Sequence, residues 1–301
     1  MSKRRGFPLV RVLSLLVFAT GVLFGASVRA EEGRILVVGD SWAAGIFGFQ
    51  AFPKVLAAHG IEDVGVIGAP TAIGGSRADQ WAGNHKGMLD ALTKTLKDNP
   101  TVDIVHVSIG GNDFLSAAME HNENVCVLPP DERKAIWERI WADIETLVRH
   151  ILAQREDIKV LLNDYDYLDP ALMRKTFSLR FAPTLSPKQM NATLIEFGRL
   201  KRERVAKIDR CEYIQHFGLL QHHYGVPPDL EKGTAPLPGG PPDYEPFAGG
   251  NPELANSPEA MPDGVHPMPE GYQYIIERCY QAFYKDWLSA QNAKEEMQCD
   301  E

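Results

Sequence analysis

Residues 35–42 read ILVVGDSW, an apolar run followed by a glycine, an acid, a serine and a tryptophan. The first four side chains are typical of a buried strand. The next stretch, residues 43–60, is rich in alanine and carries apolar residues at helical spacing. Ser41 therefore lies where a strand meets a helix. Its hydroxyl either caps the helix or faces the cleft at the carboxyl end of a sheet, where open α/β folds bind ligands.

Strand-like and helix-like segments alternate along the rest of the chain. Beyond the strand at 34–38, the apolar runs that predict further strands lie at 64–68, 103–109, 158–164 and around Tyr213. Helical patterns cover residues 78–97, 131–154 and 187–207. Such alternation predicts an α/β fold with a parallel sheet that is covered by helices on both faces.

Residues 226–262, here called the Pro/Gly segment, break this alternation. The segment is crowded with proline and glycine, and its apolar residues have no period. Prolines block regular backbone ladders, so we expect an irregular insertion that leans over the active face. Partial disorder is an open alternative. A well-patterned last helix follows at residues 271–288.

Residues 1–30 have the pattern of a secretory signal. Basic residues precede an uncharged stretch at 12–28, and the segment ends in a cleavage pattern at Ala30. An uncleaved membrane anchor is the alternative. In either case we expect residues 31–301 to form one domain outside the cytoplasm, in the periplasm or the extracellular space. Cleavage would change the net charge from −9 to −14, because it removes five basic residues and no acidic one.

This acidic balance disfavours two classes of partner. A strongly negative surface repels nucleic-acid phosphates and anionic membranes, so we expect no nucleic-acid partner and no stable membrane insertion after cleavage. None of the four cysteines lies in a C-x-x-C arrangement, and no cofactor or metal is predicted. The cysteines permit two disulfides in three pairings, or they include buried free thiols. They are Cys126, Cys211, Cys279 and Cys299.

Three other stretches carry polar groups or glycines that are able to converge with this serine. Asn112 follows the third strand in the sequence SIGGNDF, and Gly74 and Gly75 follow the second strand. Near the C-terminus, the sequence DGVHP places Asp263 three residues before His266. All of them lie at strand exits or in loops, where the catalytic groups of such sheets concentrate.

These residue types are the parts of an acyl-transfer site. A serine hydroxyl is a poor nucleophile until a histidine takes its proton, and the histidine needs a carboxylate that holds its tautomer and stabilises the imidazolium. The oxyanion that forms on an attacked ester carbonyl needs preorganised donors. Backbone N–H groups at a helix start and at a glycine, together with an asparagine amide, are such donors.

The four stretches resemble, in order, the sequence blocks of the SGNH hydrolases, also called the GDSL esterase and lipase superfamily. The resemblance extends from residue 34 to about residue 288. It implies a three-layer α/β/α sandwich with a flavodoxin-like, five-stranded parallel sheet, and a serine esterase acting on a small-molecule or polymer-borne ester. By this resemblance the nucleophile is Ser41, the general base His266 and its orienting acid Asp263, while Ser41, a glycine of the pair Gly74 and Gly75, and Asn112 form the oxyanion hole.

Two departures from the family pattern bear on the substrate and on the oxyanion hole. Trp42 stands where the family usually has leucine. Its side chain either crowds the acyl site, which predicts short-chain acyl esters of glycans or lipids, or lies in the core. Gly74 and Gly75 both align with the glycine of the second block, and the distance to Trp81 favours Gly74.

Three other functions fit parts of the pattern. The same triad would serve an O-acyltransferase that delivers the acyl group to a sugar hydroxyl. Asp40, Asn112, Asp113 and His266 carry metal-binding atoms at strand ends, as in a metallophosphoesterase, but the sequence lacks the further Asp-x-His and His-rich clusters of that class. A non-catalytic binding protein on an esterase scaffold is the third, and the intact serine, asparagine, aspartate and histidine set argues against it.

Overall fold

The computed structural model describes residues 32–120, 125–178, 185–226 and 230–289. The predicted secretory signal, three residues of the Pro/Gly segment (227–229) and Cys299 lie outside the described residues. A five-stranded parallel sheet has the order β2-β1-β3-β4-β5. All five predicted strands are confirmed. They are β1 (Glu32–Gly39), β2 (Val64–Ile67), β3 (Ile104–Ser108), β4 (Lys159–Asn163) and β5 (Cys211–Ile214).

The apolar run that precedes Ser41 forms the middle of the sheet. β1 pairs with β2 on one side and with β3 on the other, and the side chains of residues 35–38 are completely buried. Burial on both faces explains why this run does not alternate with polar residues. Gly39 pairs with Ser108, so β1 and β3 end side by side. The residues that follow them therefore emerge together at the carboxyl edge of the sheet.

Ten α-helices are present in the described part of the chain. They are α1 (Ser41–Gly48), α2 (Ala51–Ala58), α3 (Ala78–Ala82), α4 (Met88–Asp98), α5 (Gly111–Glu120), α6 (Pro130–Leu152), α7 (Pro170–Phe177), α8 (Pro187–Val205), α9 (Leu219–Tyr224) and α10 (Pro269–Cys279). A π-helical turn, Tyr280–Tyr284, follows α10.

The helices form two layers. The chain passes from β1 to β2 in one direction and from β2 to β5 in the other, so right-handed crossovers place α1 and α2 on one face and α3, α6 and α8 on the other. Packing agrees with this assignment, because α10 contacts α1 and α2, whereas α6 contacts α3 and α8. The predicted three-layer α/β/α sandwich is thus confirmed.

Two predicted helical patterns are divided by residues with left-handed backbone. The pattern of residues 43–60 becomes α1 and α2, because Gln50 takes a φ of 57° between them. The pattern of residues 78–97 becomes α3 and α4, because Asn84 takes a φ of 49°. Apolar spacing continues across both breaks, so periodicity alone does not show them. The helices α5, α7 and α9 were not predicted either.

The described part of the Pro/Gly segment contains neither a helix nor a strand, as the sequence predicted. It lies against the carboxyl ends of β4 and β5, where buried side chains hold its backbone. The Gln215 amide donates to the carbonyl oxygens of Gly239 and Phe247, and the Tyr167 hydroxyl donates to Gly249 O at 2.8 Å. The segment therefore packs at the edge of the sheet that carries the predicted site, on the side of β5.

Cys126, Cys211 and Cys279 are buried free thiols. Of the two alternatives, buried free thiols therefore apply to these three cysteines. These three residues lie in separate elements, a 3₁₀ turn, β5 and α10, and burial raises the pKa of each thiol. Among the described helices, none combines the length and apolar character needed to cross a membrane.

Candidate active site

Asp40 caps the first helix, and Ser41 does not. The Asp40 Oδ1 atom accepts a hydrogen bond from Trp42 N at 3.0 Å. Aspartate is a preferred N-cap residue, because its carboxylate satisfies an N–H group that the first turn leaves unpaired. The Ser41 hydroxyl is therefore not needed as a helix cap, and the alternative in which it caps the helix is wrong. Its Oγ atom lies 2.8 Å from Nε2 of His266.

The turn before α10 brings Asp263 onto the other side of the same imidazole. Asp263 Oδ1 accepts from the N–H groups of Val265 (2.9 Å) and His266 (2.7 Å), and Oδ2 lies 2.6 Å from His266 Nδ1. Gly264 has a φ of 84°, and a Cβ atom there would lie 2.6 Å from Asp169 O. Glycine is therefore required for the turn to approach the loop after β4.

The charge on this pair suits a histidine that accepts a proton. Burial alone would raise the pKa of the Asp263 carboxyl, but hydrogen bonds from the side chain and backbone of His266 outweigh it and hold that pKa below its ordinary value. An ionised Asp263 favours the tautomer with the proton on Nδ1, which leaves Nε2 as an acceptor facing Ser41 Oγ. The His266 and Asp263 side chains are 33% and 22% exposed, so solvent reaches the pair.

The side chain of Asn112 is fixed at the start of α5. Its Nδ2 atom donates to Ser76 O at 3.0 Å, which leaves one N–H of the amide for another acceptor. The Ser76 hydroxyl in turn donates to Gly39 O at 3.0 Å. Asn112 is thereby connected through the loop after β2 to the end of β1, two residues before Ser41.

The two glycines predicted for the oxyanion hole lie in the exposed turn that precedes Ser76. Gly75 has a φ of 79°, which favours glycine, whereas a Cβ atom on Gly74 would meet only open space. In the described part of the chain, neither glycine N–H has an acceptor, and neither does the N–H of Ser41. All three N–H groups are thus available to a ligand.

Trp42 lies in the core and does not crowd the acyl site. Its side chain is 2% exposed, and its indole N–H donates to Val265 O at 2.9 Å. The rings of Tyr165 and Tyr272 contact it edge to face, with centroids at 5.0 Å and 6.0 Å. Of the two interpretations of Trp42, the crowded pocket is therefore wrong. The residue instead fastens the serine helix to the turn that carries His266.

Tyr165, which lies just after β4, is a further residue of the site that was not predicted from the sequence. Its hydroxyl donates to Asp40 Oδ2 at 2.5 Å and accepts from Gly111 N at 2.8 Å. A polar residue at a strand exit was the signal that identified Ser41 and Asn112, and it applies equally to Tyr165. Burial raises the pKa of Asp40 to about 6, although the hydrogen bonds from Tyr165 and Trp42 lower it.

The residues of the metal-site alternative are engaged with the protein. Asp40 accepts from a phenol and a peptide N–H, and Asp113 Oδ2 accepts from Ala78 N at 2.9 Å. Across the described ranges, no group of three or more histidine, cysteine, aspartate or glutamate side chains is arranged to hold a metal ion.

Two shallow cavities, of about 210 and 320 Å³, adjoin residues 254–259, and neither is lined by a residue of the predicted triad.

Comparison with solved structures identifies several folds like this one. A gut microbial diltiazem-metabolizing enzyme has a TM-score of 0.50 at 12% identity, and the match covers 84% of this chain and 47% of that one. A lipase from goat rumen metagenome has a TM-score of 0.49 at 12% identity, with coverage of 84% and 98%. A carbohydrate acetylesterase family member from Sinorhizobium meliloti has a TM-score of 0.45 at 16% identity, with coverage of 82% and 94%.

At 12% identity, the similarity to the diltiazem-metabolizing enzyme shows a common fold and no more. A search of curated proteins found no significant match to the sequence. The model of the GDSL-like Lipase/Acylhydrolase family, however, matches residues 35–279, which extend from the middle of β1 to the end of α10. This match covers most of the chain and contains each residue of the hydrogen-bonded set described above. The chain therefore belongs to the family of GDSL-like lipases and acylhydrolases and is an ester-hydrolysing enzyme.

Proposed function

We propose that the protein is a serine esterase in which Ser41 attacks the ester carbonyl and is acylated. The observation that carries this proposal is the continuous hydrogen-bonded series from Ser41 Oγ to His266 Nε2 at 2.8 Å and from His266 Nδ1 to Asp263 Oδ2 at 2.6 Å. The order of these three groups, and the sides of the imidazole that they contact, match the requirements of a nucleophile, a general base and an orienting carboxylate.

In the first half of the reaction, His266 takes the proton of the Ser41 hydroxyl as the Oγ–carbon bond forms. The resulting imidazolium is stabilised by Asp263 and returns the proton to the departing alcohol as the ester bond breaks. In the second half, a water molecule gives a proton to His266 and attacks the acyl carbon. The carboxylic acid leaves, and the proton returns to Ser41.

The negative charge on the carbonyl oxygen requires donors beside the nucleophile. The N–H of Ser41, an N–H of the Gly74 and Gly75 pair, and the amide of Asn112 supply them in this proposal. The peptide donors have no internal acceptor in the described chain, so an oxyanion would not have to compete for them. Donors that are held in place before the reaction cost little reorganisation in the transition state.

We further propose short-chain acyl esters of glycans or lipids as substrates, hydrolysed outside the cytoplasm. Ser41 and His266 are only partly buried, which favours a small acyl group in a shallow site. Phe177 lies beside His266, with ring centroids 6.1 Å apart, and is exposed, so it offers an apolar contact at the rim. The secretory pattern of residues 1–30 supports export, and the negative net charge favours uncharged substrates.

The role of Ser41 is tested by the Ser41→Ala variant on p-nitrophenyl acetate. We expect a loss of at least about 10³-fold in kcat, with an unchanged melting temperature. A matched control is Ser257→Ala, which removes a serine hydroxyl in the Pro/Gly segment and should retain full turnover. Near wild-type turnover by Ser41→Ala would overturn the proposal.

The acyl preference is tested by p-nitrophenyl esters of two to sixteen carbons. We expect kcat/KM to fall beyond four carbons, and a preference for twelve or more would contradict the short-chain proposal. Adding a free sugar to the acetyl ester separates hydrolysis from transfer. Hydrolysis releases acetate in proportion to p-nitrophenol, whereas an acyltransferase would yield acetylated sugar in its place.

A further inference from the structure

The Tyr165 hydroxyl joins the starts of two helices. It donates to Asp40, the residue that caps α1, and it accepts from the N–H of Gly111, the first residue of α5. Ser41 follows Asp40 directly, and Asn112 follows Gly111 directly. A single phenolic oxygen therefore bridges the residue before the proposed nucleophile and the residue before the proposed oxyanion donor.

This bridge is buried and tightly packed. Asp40 is 1% exposed and Tyr165 is 5% exposed. The Trp42 ring lies edge to face against Tyr165, and a Cβ atom on Gly111 would lie 2.6 Å from the phenol ring. The phenol therefore has little room to move, and the position of its oxygen is set by the core.

Burial raises the pKa of Asp40 to about 6, so its carboxyl is still ionised at neutral pH. The hydrogen bonds from Tyr165 and Trp42 and the charge of Lys201 favour the carboxylate, whereas Asp113 opposes it. Lys201 is buried in an ion pair with Asp164, and its Nζ atom lies 5.5 Å from the Tyr165 ring centroid. An ionised Asp40 accepts the phenolic proton, which leaves the oxygen lone pair for Gly111 N–H.

We propose that Tyr165 is a positioning residue that sets the separation between Ser41 and Asn112. The inference rests on the proposed function, because it assigns catalytic roles to those two residues. The phenol forms its hydrogen bonds with the residues before them, Asp40 and Gly111. It fixes the helix starts from which they project, so its loss would misplace the oxyanion donor relative to the nucleophile. Displacements of about 1 Å in such constellations cost on the order of 10²-fold in rate.

Tyr165→Phe tests this role, with Tyr213→Phe as the matched control. The Tyr213 hydroxyl also donates to a buried aspartate at 2.5 Å, Asp164 after the end of β4, but Tyr213 is not the phenol that bonds to the two helix starts. Both variants lose one buried hydroxyl and should lose similar stability. On p-nitrophenyl acetate we expect kcat to fall at least about tenfold in Tyr165→Phe, with KM within about twofold. Tyr213→Phe should keep kcat within about twofold.

A second measurement separates positioning from a general loss of structure. A boronic acid that forms a tetrahedral adduct with the serine should bind Tyr165→Phe more weakly by about the factor lost in kcat/KM. Asp40→Asn should reproduce the kcat loss, and the double variant should be no worse than either single one, because the two residues act as a unit. The single variant Asp40→Asn also provides the test if Tyr165→Phe does not fold.

Three results would overturn the inference: a kcat of folded Tyr165→Phe within twofold of wild type, an equal loss in Tyr213→Phe, or inhibitor affinity unchanged while kcat falls. Each of these results counts against the role of Tyr165 only if Ser41→Ala is inactive. In that case the assignment of Ser41 as the nucleophile is retained. If Ser41→Ala remains active, the proposed function fails first, and the role of Tyr165 fails with it.

Discussion

The carboxyl edge of the sheet has two halves that are constructed differently. In the helix-start half, β1 and β3 lead within three residues into α1 and α5, and the side chains of Ser41 and Asn112 project from the first turns. In the loop half, beside β4 and β5, the described part of the Pro/Gly segment has neither helix nor strand and is held by amide side chains such as Gln215 and Gln221.

This difference separates the two ways in which a fold supports a site. Helix starts offer N–H groups without partners and fix the direction of the side chains beside them, so they suit groups that must meet a reacting atom. A long loop needs its own polar contacts to remain folded, since it lacks a ladder of backbone hydrogen bonds. We therefore expect substitutions in the helix-start half to reduce turnover and those in the loop half to reduce stability.

The largest effect should come from His266, which the last turn brings to the helix-start half. His266→Ala should lower kcat at least about 10³-fold, and adding Ser41→Ala should cost little more, because triad members act as a unit. The loss of kcat in Asp263→Asn should be about ten- to a hundredfold smaller than in His266→Ala. The asparagine side-chain oxygen still accepts from the N–H groups of the turn. Steady-state kinetics on p-nitrophenyl acetate provide the measurement, and independent, multiplicative losses would contradict the triad.

In the loop half, Gln215→Ala should reduce stability and spare turnover. The buried amide donates to two carbonyl groups of the Pro/Gly segment and accepts from Phe217 N at 2.9 Å. Leaving those groups unpaired should cost about 1–3 kcal/mol in the free energy of unfolding. Urea denaturation measures the loss, and exposed Gln281→Ala is the control. A tenfold fall in kcat at unchanged KM would break the distinction between the halves.

The pH dependence of stability should contain one contribution from each half. Burial raises the pKa of Asp166 and that of Asp40 to about 6. Asp166 accepts hydrogen bonds from the N–H groups of Gly218 and Leu220 at the start of α9. Between about pH 4 and 6 these carboxyls bind more protons in the folded state than in the unfolded state. Each therefore makes stability fall as pH rises through this window, by up to roughly 3 kcal/mol.

Asparagine variants test these two contributions separately. Asp166→Asn and Asp40→Asn should each flatten the fall in melting temperature between pH 4 and 6, but only Asp40→Asn should lower kcat. Thermal unfolding across this range gives the slopes. An unchanged slope in both variants would show that neither carboxyl titrates in the window.

The smallest effect on ester hydrolysis should come from Trp42→Phe. The variant retains an aromatic ring in the core, but it loses the hydrogen bond to Val265 O and part of a buried side chain, which should cost about 1–3 kcal/mol in the free energy of unfolding. Its preference among p-nitrophenyl esters should match that of the wild type, because the indole does not line the acyl site. A shift of that preference toward longer chains would indicate that Trp42 lines the acyl site.

The parts that could be predicted from sequence depend on local patterns. Uninterrupted apolar runs identified the five strands. Residue types at strand exits and in the turn before the last helix, supported by the family resemblance, selected Ser41, Asn112, Asp263 and His266. The orientation of Trp42 was left open because it depends on a carbonyl 223 residues further along the chain. The position of Tyr165 after β4 could be read from the sequence, but its role could not, because that role requires knowing that β4 lies beside β3 and that Asp40 is within its reach.

The central claim, that Ser41 carries the acyl group, is tested most directly by trapping the intermediate. Wild-type enzyme mixed with p-nitrophenyl acetate and quenched in acid during the first turnover should gain the mass of one acetyl group. Peptide mass spectrometry should place that group on Ser41, and Ser41→Ala should remain unmodified under the same conditions. An acetyl group on another residue, or hydrolysis by Ser41→Ala at the wild-type rate, would contradict the account.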